Sequence, residues 1–213
     1  MASKSGDAGL AFAAFRNVHG PGTERYARCI GKPFAWVEPA VFDEAGKRVG
    51  VGEIGRLGIV SKSITKGYWK VHSRSEKNRI DGYWLTGDLV FFDEDGFYYH
   101  VDRDTDAIRT KQGTLYSCAA EEWLLSRMPE VFEVSVVARG GPDDEWIVAL
   151  VELCENVAHL SPNMLLDRIN ALMDEQGFLR VDAVEMQSAH RNVGATGKKL
   201  KRVLRARHEP LSA

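Results

Sequence analysis

Two widely separated segments carry side chains that could bind sugar hydroxyls and anions. In the first, residues 83–89 (YWLTGDL), a turn follows a strand-like run and presents the Asp88 carboxylate. A carboxylate held at such a turn can accept hydrogen bonds from two neighbouring hydroxyls, such as those of a ribose. In the second, Gly197 precedes Lys198 at the start of a basic amphipathic stretch. This pattern favours a cation on a mobile loop, where it would meet negative charge.

Each of these residues also has a simpler structural interpretation. Asp88 could be a solvated aspartate in a turn, and Lys198 could be one more solvated lysine on a basic helix. Arg103 follows a β-hairpin pattern and could donate to the same sugar or to a phosphate. It could equally be a surface cation beside the aspartates that surround it. The order and spacing of residues 83–89, Arg103 and the stretch after Gly197 support the functional interpretation better than any one of these residues does.

Composition excludes several classes of protein. The chain has 213 residues, 28 of them basic and 30 acidic, so no overall field favours nucleic acid or an anionic membrane. The basic stretch after Gly197 lacks interleaved aromatic residues, and nucleic acid is therefore not predicted as a partner. The scattered cysteines (Cys29, Cys118 and Cys154) and dispersed histidines argue against a disulfide framework and a metal site.

No apolar run approaches the roughly 20 residues that a membrane helix needs, and the first residues lack the apolar core of a signal peptide. We therefore expect a cytoplasmic protein with no membrane partner.

The apolar pattern changes character near residue 103. Residues 34–102 are typical of a small curved antiparallel sheet, with a hairpin signal at Asp95-Gly96. Beyond it, one helix is predicted from Cys118 to Arg127 and another after the N-cap signature Ser161-Pro162. Apolar strands are predicted over 132–138 and 146–153.

The predicted fold class is therefore α+β. We place the division within the charged stretch from Asp102 to Asp106, which gives a β-rich domain over residues 1–102 and a compact α+β domain over residues 103–213.

Taken together, these segments resemble the adenylate-forming superfamily, which includes acyl-CoA synthetases, luciferases and the adenylation domains of peptide synthetases. Landmarks of that family occur in its order: Ile30-Gly31-Lys32-Pro33, Gly52-Glu53-Ile54-Gly55, Thr65-Lys66-Gly67-Tyr68-Trp69, Tyr83 to Leu89, Arg103, Gly113 and Gly197-Lys198. The resemblance implies that residues 1–102 end the large N-terminal domain and that residues 103–213 form the C-terminal lid domain.

The resemblance also implies roles for single residues. Asp88 would hold the ribose hydroxyls of ATP or AMP, and Arg103 would contact the ribose just before the interdomain hinge. Gly113 would line the approach of the thiol. Lys198 would be the catalytic residue, because it would touch both the reacting carboxylate and the phosphate.

The implied chemistry has two steps. A carboxylate first attacks the α-phosphate of ATP, which gives an acyl adenylate and pyrophosphate, and the acyl group then passes to a thiol. The thiol would belong to coenzyme A or to the phosphopantetheine of a carrier protein. Mg²⁺ would be held only with the help of a domain that this sequence lacks.

The sequence departs from the family pattern in several places. Complete members are more than twice as long, and the Ser/Thr/Gly-rich loop that cradles the ATP phosphates does not occur in this chain. The magnesium-binding glutamate should fall near the N-terminus, where Lys4 or the poorer candidate Thr23-Glu24 stands. Asp102 replaces a glycine before the hinge arginine, Thr105 replaces the usual Asp or Lys of the hinge, and the proline ahead of Gly197 is missing.

From these departures we expect a chain that cannot adenylate efficiently by itself. It would act with a complementing ligase subunit that carries the phosphate-binding domain, or cover its exposed apolar surface as a homo-oligomer. The alternative is a non-catalytic accessory protein that binds a carrier protein or a full-length ligase. Enzymatic activity, the acid, the thiol acceptor and the natural start of the chain stay open at this point.

Overall fold

A computed structural model describes residues 15–16, 28–62, 78–140, 146–155, 157, 160–187 and 201. The chain divides into two compact units, one ending at Thr105 and the other starting at Asp106. Within the described ranges, no helix is long and apolar enough to cross a membrane. The assignment of residues 1–102 and 103–213 as domains stays a prediction.

The first unit is an antiparallel sheet. Its described strands are β1 (Phe15–Arg16), β2 (Cys29–Pro33), β3 (Val37–Phe42), β4 (Gly55–Ser61), β5 (Arg79–Ile80), β6 (Tyr83–Phe92) and β7 (Tyr98–Arg103). They lie in the order β1-β2-β7-β6-β4-β3, with β5 paired to β6. One face buries an apolar cluster that includes Ile30, Val41, Leu57, Ile59 and Val90. The long strand β6 therefore lies in the middle of the sheet, between β7 and β4.

The β6–β7 hairpin forms at the predicted turn. Asp93 accepts hydrogen bonds from the Phe97 amide at 2.9 Å and from the Tyr99 hydroxyl at 2.7 Å, and Gly96 takes a positive φ of 76°. Burial tends to raise the pKa of Asp93, but these hydrogen bonds outweigh it and the net pKa is lowered. The turn thus fixes the register of the two strands that carry Asp88 and Arg103.

Two glycines of β4 allow close packing against β3. A Cβ atom at Gly55 would lie 2.5 Å from the Phe42 carbonyl oxygen and 2.9 Å from Val41 Cγ1, and one at Gly58 would lie 2.7 Å from Phe42 Cε2. Such contacts are too short for real side chains, so the interruption of this strand by glycine is required by its neighbours.

We expect Gly55→Ala to lower the free energy of unfolding by about 2–3 kcal/mol, because the clash is with backbone that cannot easily move. Denaturant unfolding followed by circular dichroism would measure it. Gly50→Ala is the matched control, since its added Cβ would have only an ordinary contact of 3.6 Å to Glu53 Oε2. Equal stability of the two variants would contradict the steric explanation.

The second unit is α+β. Its described elements are β8 (Ile108–Thr110), β9 (Gly113–Leu115), α1 (Ser117–Arg127), β10 (Val131–Arg139), β11 (Trp146–Leu153), α2 (Pro162–Glu175) and β12 (Ala183–Met186). Strands β8 and β9 form a hairpin, and β10-β11-β12 form a sheet in which the β11–β12 pair is parallel.

Both helices contribute to one apolar core with the three-stranded sheet, through residues such as Leu124, Val136, Ile169 and Met173. The predicted N-cap is present, since Ser161 Oγ accepts the Met164 amide at 3.3 Å. The α+β class predicted from the sequence is confirmed.

Candidate functional site

The Asp88 carboxylate lies buried in the sheet of the first unit. Gly87 makes the preceding turn with a positive φ of 83°, and Asp88 itself is 1% exposed. Among the described residues, neither carboxylate oxygen of Asp88 has a hydrogen-bond partner. A buried polar group normally has such a partner, because leaving it unpaired costs free energy. Asp88 is therefore suited to accept hydrogen bonds from a ligand.

Arg103 lies opposite Asp88. The two residues are Cα partners across the antiparallel β6–β7 pair, so their side chains leave the same face of the sheet. The structure thus brings together the two ribose-binding candidates of the first unit.

A bulge in β7 adds His100 to this face. Leu89 pairs with Asp102 and Val90 pairs with His100, which leaves Val101 as an extra residue on β7. In a regular strand, residues three apart leave opposite faces, but one extra residue restores the same face. His100 Nε2 consequently lies 3.6 Å from Asp88 Oδ1.

Local hydrogen bonds hold the Asp88 turn against the end of β7. Thr86 is fully buried, and its hydroxyl accepts the Asp88 amide at 3.2 Å. The Gly87 carbonyl accepts the Asp104 amide at 2.9 Å. The buried Asp102 accepts the Arg103 amide at 2.8 Å through Oδ1. The carboxylate is therefore presented by a fixed backbone.

A polar network holds the start of β6. The Tyr83 hydroxyl donates to Glu38 and accepts from Arg48 Nη2 at 2.8 Å. The hydrogen bond to Glu38, together with burial, raises the pKa of Tyr83. Tyr83 therefore acts as a neutral donor that fastens the strand leading to Asp88.

Gly113 begins β9 in the second unit. Its φ is 142°, a conformation that side-chain-bearing residues rarely adopt, whereas a Cβ there would meet nothing within 4 Å. Backbone conformation, and not crowding, therefore explains this glycine. The role of Gly113 beside a thiol stays a prediction.

Lys201 is largely shielded from solvent in the second unit. Its Nζ atom lies 2.7 Å from Ser117 Oγ and 2.7 Å from Glu121 Oε1, and its side chain is 11% exposed. The same Glu121 oxygen accepts the Val136 amide at 2.7 Å. Lys201 is thereby joined to α1 directly and to β10 through Glu121.

Two relatives illustrate what this chain is similar to. It is 38% identical over 218 residues to 3-aminoavenalumate diazotase from a Streptomyces species, a match that covers 95% of this chain and 39% of that protein. It is 34% identical over 142 residues to medium/long-chain-fatty-acid–CoA ligase FadD8 from Mycobacterium tuberculosis, which covers 65% of this chain and 24% of the ligase. The chain thus spans less than half the length of these relatives.

A solved structure shows the same relationship. ATP-bound MatB from Rhodopseudomonas palustris matches with a TM-score of 0.73 and 26% identity, over 86% of this chain and 36% of that one. The chain belongs to the adenylate-forming superfamily. It corresponds to the C-terminal part of those enzymes, although no protein-family model matches it. The resemblance inferred from the sequence landmarks is confirmed.

The site residues predicted from the resemblance to the adenylate-forming superfamily fall partly within the described residues. Asp88 and Arg103 lie together in the first unit and Gly113 lies in the second, whereas Lys198 and the landmark at 65–69 fall outside the described residues. So do Lys4 and Thr23-Glu24. No cluster of three or more potential metal ligands occurs within the described part of the chain.

Sequence reasoning missed two residues of this adenylate-forming chain. His100 gave no signal, because the bulge that aligns it with Asp88 depends on pairing with β6. Lys201 lies in the basic stretch after Gly197, where nothing in the sequence marks it, and its partner Glu121 lies on a distant helix. Only the folded chain shows either contact.

We expect Lys201→Met to lower the free energy of unfolding by about 3 kcal/mol, because it leaves the Glu121 carboxylate, which is only 12% exposed, without its cation. Thermal and denaturant unfolding would measure the loss. Lys111→Met is the matched control, since Lys111 is exposed in the turn between β8 and β9. Adding Glu121→Gln to Lys201→Met should recover part of the loss. A Lys201→Met protein as stable as the control would show that the pair contributes nothing.

Proposed function

We propose that this chain is the C-terminal portion of an AMP-forming acid–thiol ligase and that its first unit holds the ribose of ATP or AMP. The buried Asp88 carboxylate carries this proposal, because neither of its oxygens has a hydrogen-bond partner among the described residues. Two adjacent ribose hydroxyls would supply the missing donors. Arg103, opposite Asp88 in register, would donate to the same sugar or to the phosphate.

Each remaining function follows from the resemblance. ATP would supply the α-phosphate to which the acid becomes joined, with release of pyrophosphate. Lys198 would offset the repulsion between the carboxylate and the phosphate, both of which are anions. Gly113 would line the path of the acceptor thiol, from coenzyme A or from phosphopantetheine on a carrier protein.

The phosphate-binding loop and the magnesium ligands would lie outside this sequence, on a longer form of the chain or on a complementing subunit. The chain spans 39% of the diazotase and 24% of the ligase. Without that loop, most of the triphosphate charge would lack a dedicated partner. The residues present would then bind the nucleoside and supply Lys198 but would not adenylate efficiently.

Calorimetric titration with AMP, ATP and a non-hydrolysable acyl adenylate tests the proposal directly. AMP should bind, and ATP should gain little over AMP because the partners of its outer phosphates are missing. Adding a polypeptide that carries the N-terminal portion of the Streptomyces diazotase should then restore acid-dependent pyrophosphate release. Absence of AMP binding together with absence of complementation would refute the ligase proposal.

A second candidate concerns the chemistry that follows nucleotide binding. The match over 95% of the chain is to a diazotase and not to a CoA ligase. This favours an amino-aryl acid as substrate and an outcome other than thioester formation. Pyrophosphate release by the complemented protein, compared between fatty acids, aryl acids and amino-aryl acids with and without nitrite, separates the two candidates.

The non-catalytic alternative depends on altered residues, among them Asp102. Asp102 is 3% exposed and accepts the Arg103 amide, so it stabilises the strand end beside the site. The substitution is therefore compatible with an intact site, and the catalytic proposal is the better supported of the two.

A further inference from the structure

His100 contacts the carboxylate that would bind ribose. Its Nε2 atom lies 3.6 Å from Asp88 Oδ1, a distance longer than a hydrogen bond, so the contact is electrostatic. The His100 side chain is 24% exposed, whereas that of Asp88 is almost fully buried. The ring can therefore exchange protons with solvent while the carboxylate stays covered.

The bulge in β7 places the His100 ring on the face of the sheet that Asp88 occupies. The extra residue Val101 lets both His100 and Arg103 leave the sheet on that face, and such bulges commonly re-aim side chains beside functional sites. The backbone amide of His100 is fixed as well, because it donates to the Arg28 carbonyl at 2.9 Å. The position of the His100 ring beside Asp88 is therefore set by strand β7 and by the hydrogen bond to Arg28.

We propose that His100 is a positioning residue of the nucleotide site, whose protonated ring balances the buried Asp88 carboxylate while ribose hydroxyls bind it. This inference rests on the proposed function. It makes nucleoside affinity dependent on pH, because nucleoside binding becomes coupled to the uptake of a proton.

The coupling follows from the change in surroundings on binding. A nucleoside bound at Asp88 displaces water from the partly exposed His100 ring, and the attraction between opposite charges grows as the local dielectric falls. The attraction of Asp88 therefore stabilises the protonated His100 ring more in the complex than in the free chain. By linkage, lowering the pH must tighten binding.

Other charged groups near His100 act in the opposite direction. Arg28 lies before β2, and its guanidinium donates to the Val101 carbonyl at 3.0 Å. Arg103 leaves the same face as Asp88, whereas Asp102 pairs with Leu89 on the other face. Both arginines repel a positive charge on the ring, whereas Asp88, whose Oδ1 lies 3.6 Å from Nε2, attracts it.

Adenosine is the appropriate probe, because it has the ribose hydroxyls but no phosphate that would titrate in the same range. We expect the wild-type chain to bind adenosine about five-fold more tightly at pH 5.5 than at pH 8. Calorimetry in buffers of different ionisation enthalpy should show proton uptake on binding. His100→Gln should bind with no uptake and with little dependence on pH.

A measurement on the ligand-free chain tests the contact independently. Melting temperatures of the wild type, His100→Gln, Asp88→Asn and the double variant form a cycle. At pH 5.5 the double variant should lose less than the sum of the single losses, and at pH 8 this difference should shrink. Additive losses at both pH values would overturn the inference.

The outcomes separate this inference from the proposed function. If wild type binds adenosine no better than Asp88→Asn does, the ribose site fails, and the inference fails with it. If binding requires Asp88 but His100→Gln takes up protons like the wild type, the nucleotide site stands and the role of His100 is wrong.

Discussion

Replacing Asp88 with asparagine should weaken AMP binding to this chain by about a hundredfold. Asparagine keeps the size of the side chain but removes the charge, and a hydrogen bond to a charged group is worth about 1.5–3 kcal/mol. Both ribose hydroxyls would lose a charged acceptor, and one carboxylate oxygen would be replaced by an amide NH2 group, which cannot accept a hydrogen bond from a hydroxyl. Titration calorimetry or a fluorescent AMP analogue would measure the change in Kd.

Ligand and protein controls make this result specific. Asp95→Asn removes the same charge from an exposed position at the β6–β7 turn and should leave AMP affinity unchanged. Adenosine that lacks the 2′- or 3′-hydroxyl should bind the wild type more weakly than adenosine does and should lose less affinity on Asp88→Asn. If AMP binds both proteins equally well, Asp88 has no part in nucleotide recognition.

Local patterns in the sequence were sufficient to predict much of the fold. The hairpin at Asp95-Gly96 and the N-cap of α2 at Ser161 each depend on residues close in sequence, whose conformational preferences act over one turn. Strand β11 has the predicted bounds, and α1 starts one residue earlier than predicted. These elements are fixed by local chemistry, and the α+β class follows from their order.

Features that depend on pairing between distant residues could not be predicted in this way. The bulge at Val101 arises from the register of β7 against β6, and no residue type in β7 marks it. The requirement for glycine at position 55 comes from the Phe42 carbonyl on the neighbouring strand. The ion pair of Lys201 depends on Glu121, which lies on a helix distant along the chain. The candidate site therefore combines a motif visible in the sequence with surroundings that only the fold supplies.

Backbone hydrogen bonds in the first unit hold the turn at residues 86–88, which carries the buried Asp88 carboxylate. Thr86 and Gly87 fix the backbone through hydrogen bonds to the Asp88 and Asp104 amides, and neither Asp88 carboxylate oxygen has a hydrogen-bond partner in the part of the chain that the structure describes. The bulge and the turn together place Arg103 and His100 on the face of the sheet that Asp88 occupies.

Lys198→Ala should slow adenylate formation by a factor of about 10²–10³ in the complemented ligase, because the loss of one group that stabilises developing charge commonly costs about 3–4 kcal/mol. The loss should appear in kcat for acid-dependent pyrophosphate release and not in the affinity for AMP, which depends on the Asp88 side of the site. Rapid-quench measurement of the adenylate would assign the effect to the first step.

Lys199→Ala is the matched control, since it removes the same charge from the adjacent position and has no assigned contact with the reacting groups. Lys201→Met provides a second comparison. It should slow the reaction less than Lys198→Ala does while lowering stability more, because its contacts are with Ser117 and Glu121. An equal loss of rate in the Lys198 and Lys199 variants would mean that the basic stretch contributes only general positive charge, and the assignment of Lys198 as the catalytic residue would then be wrong.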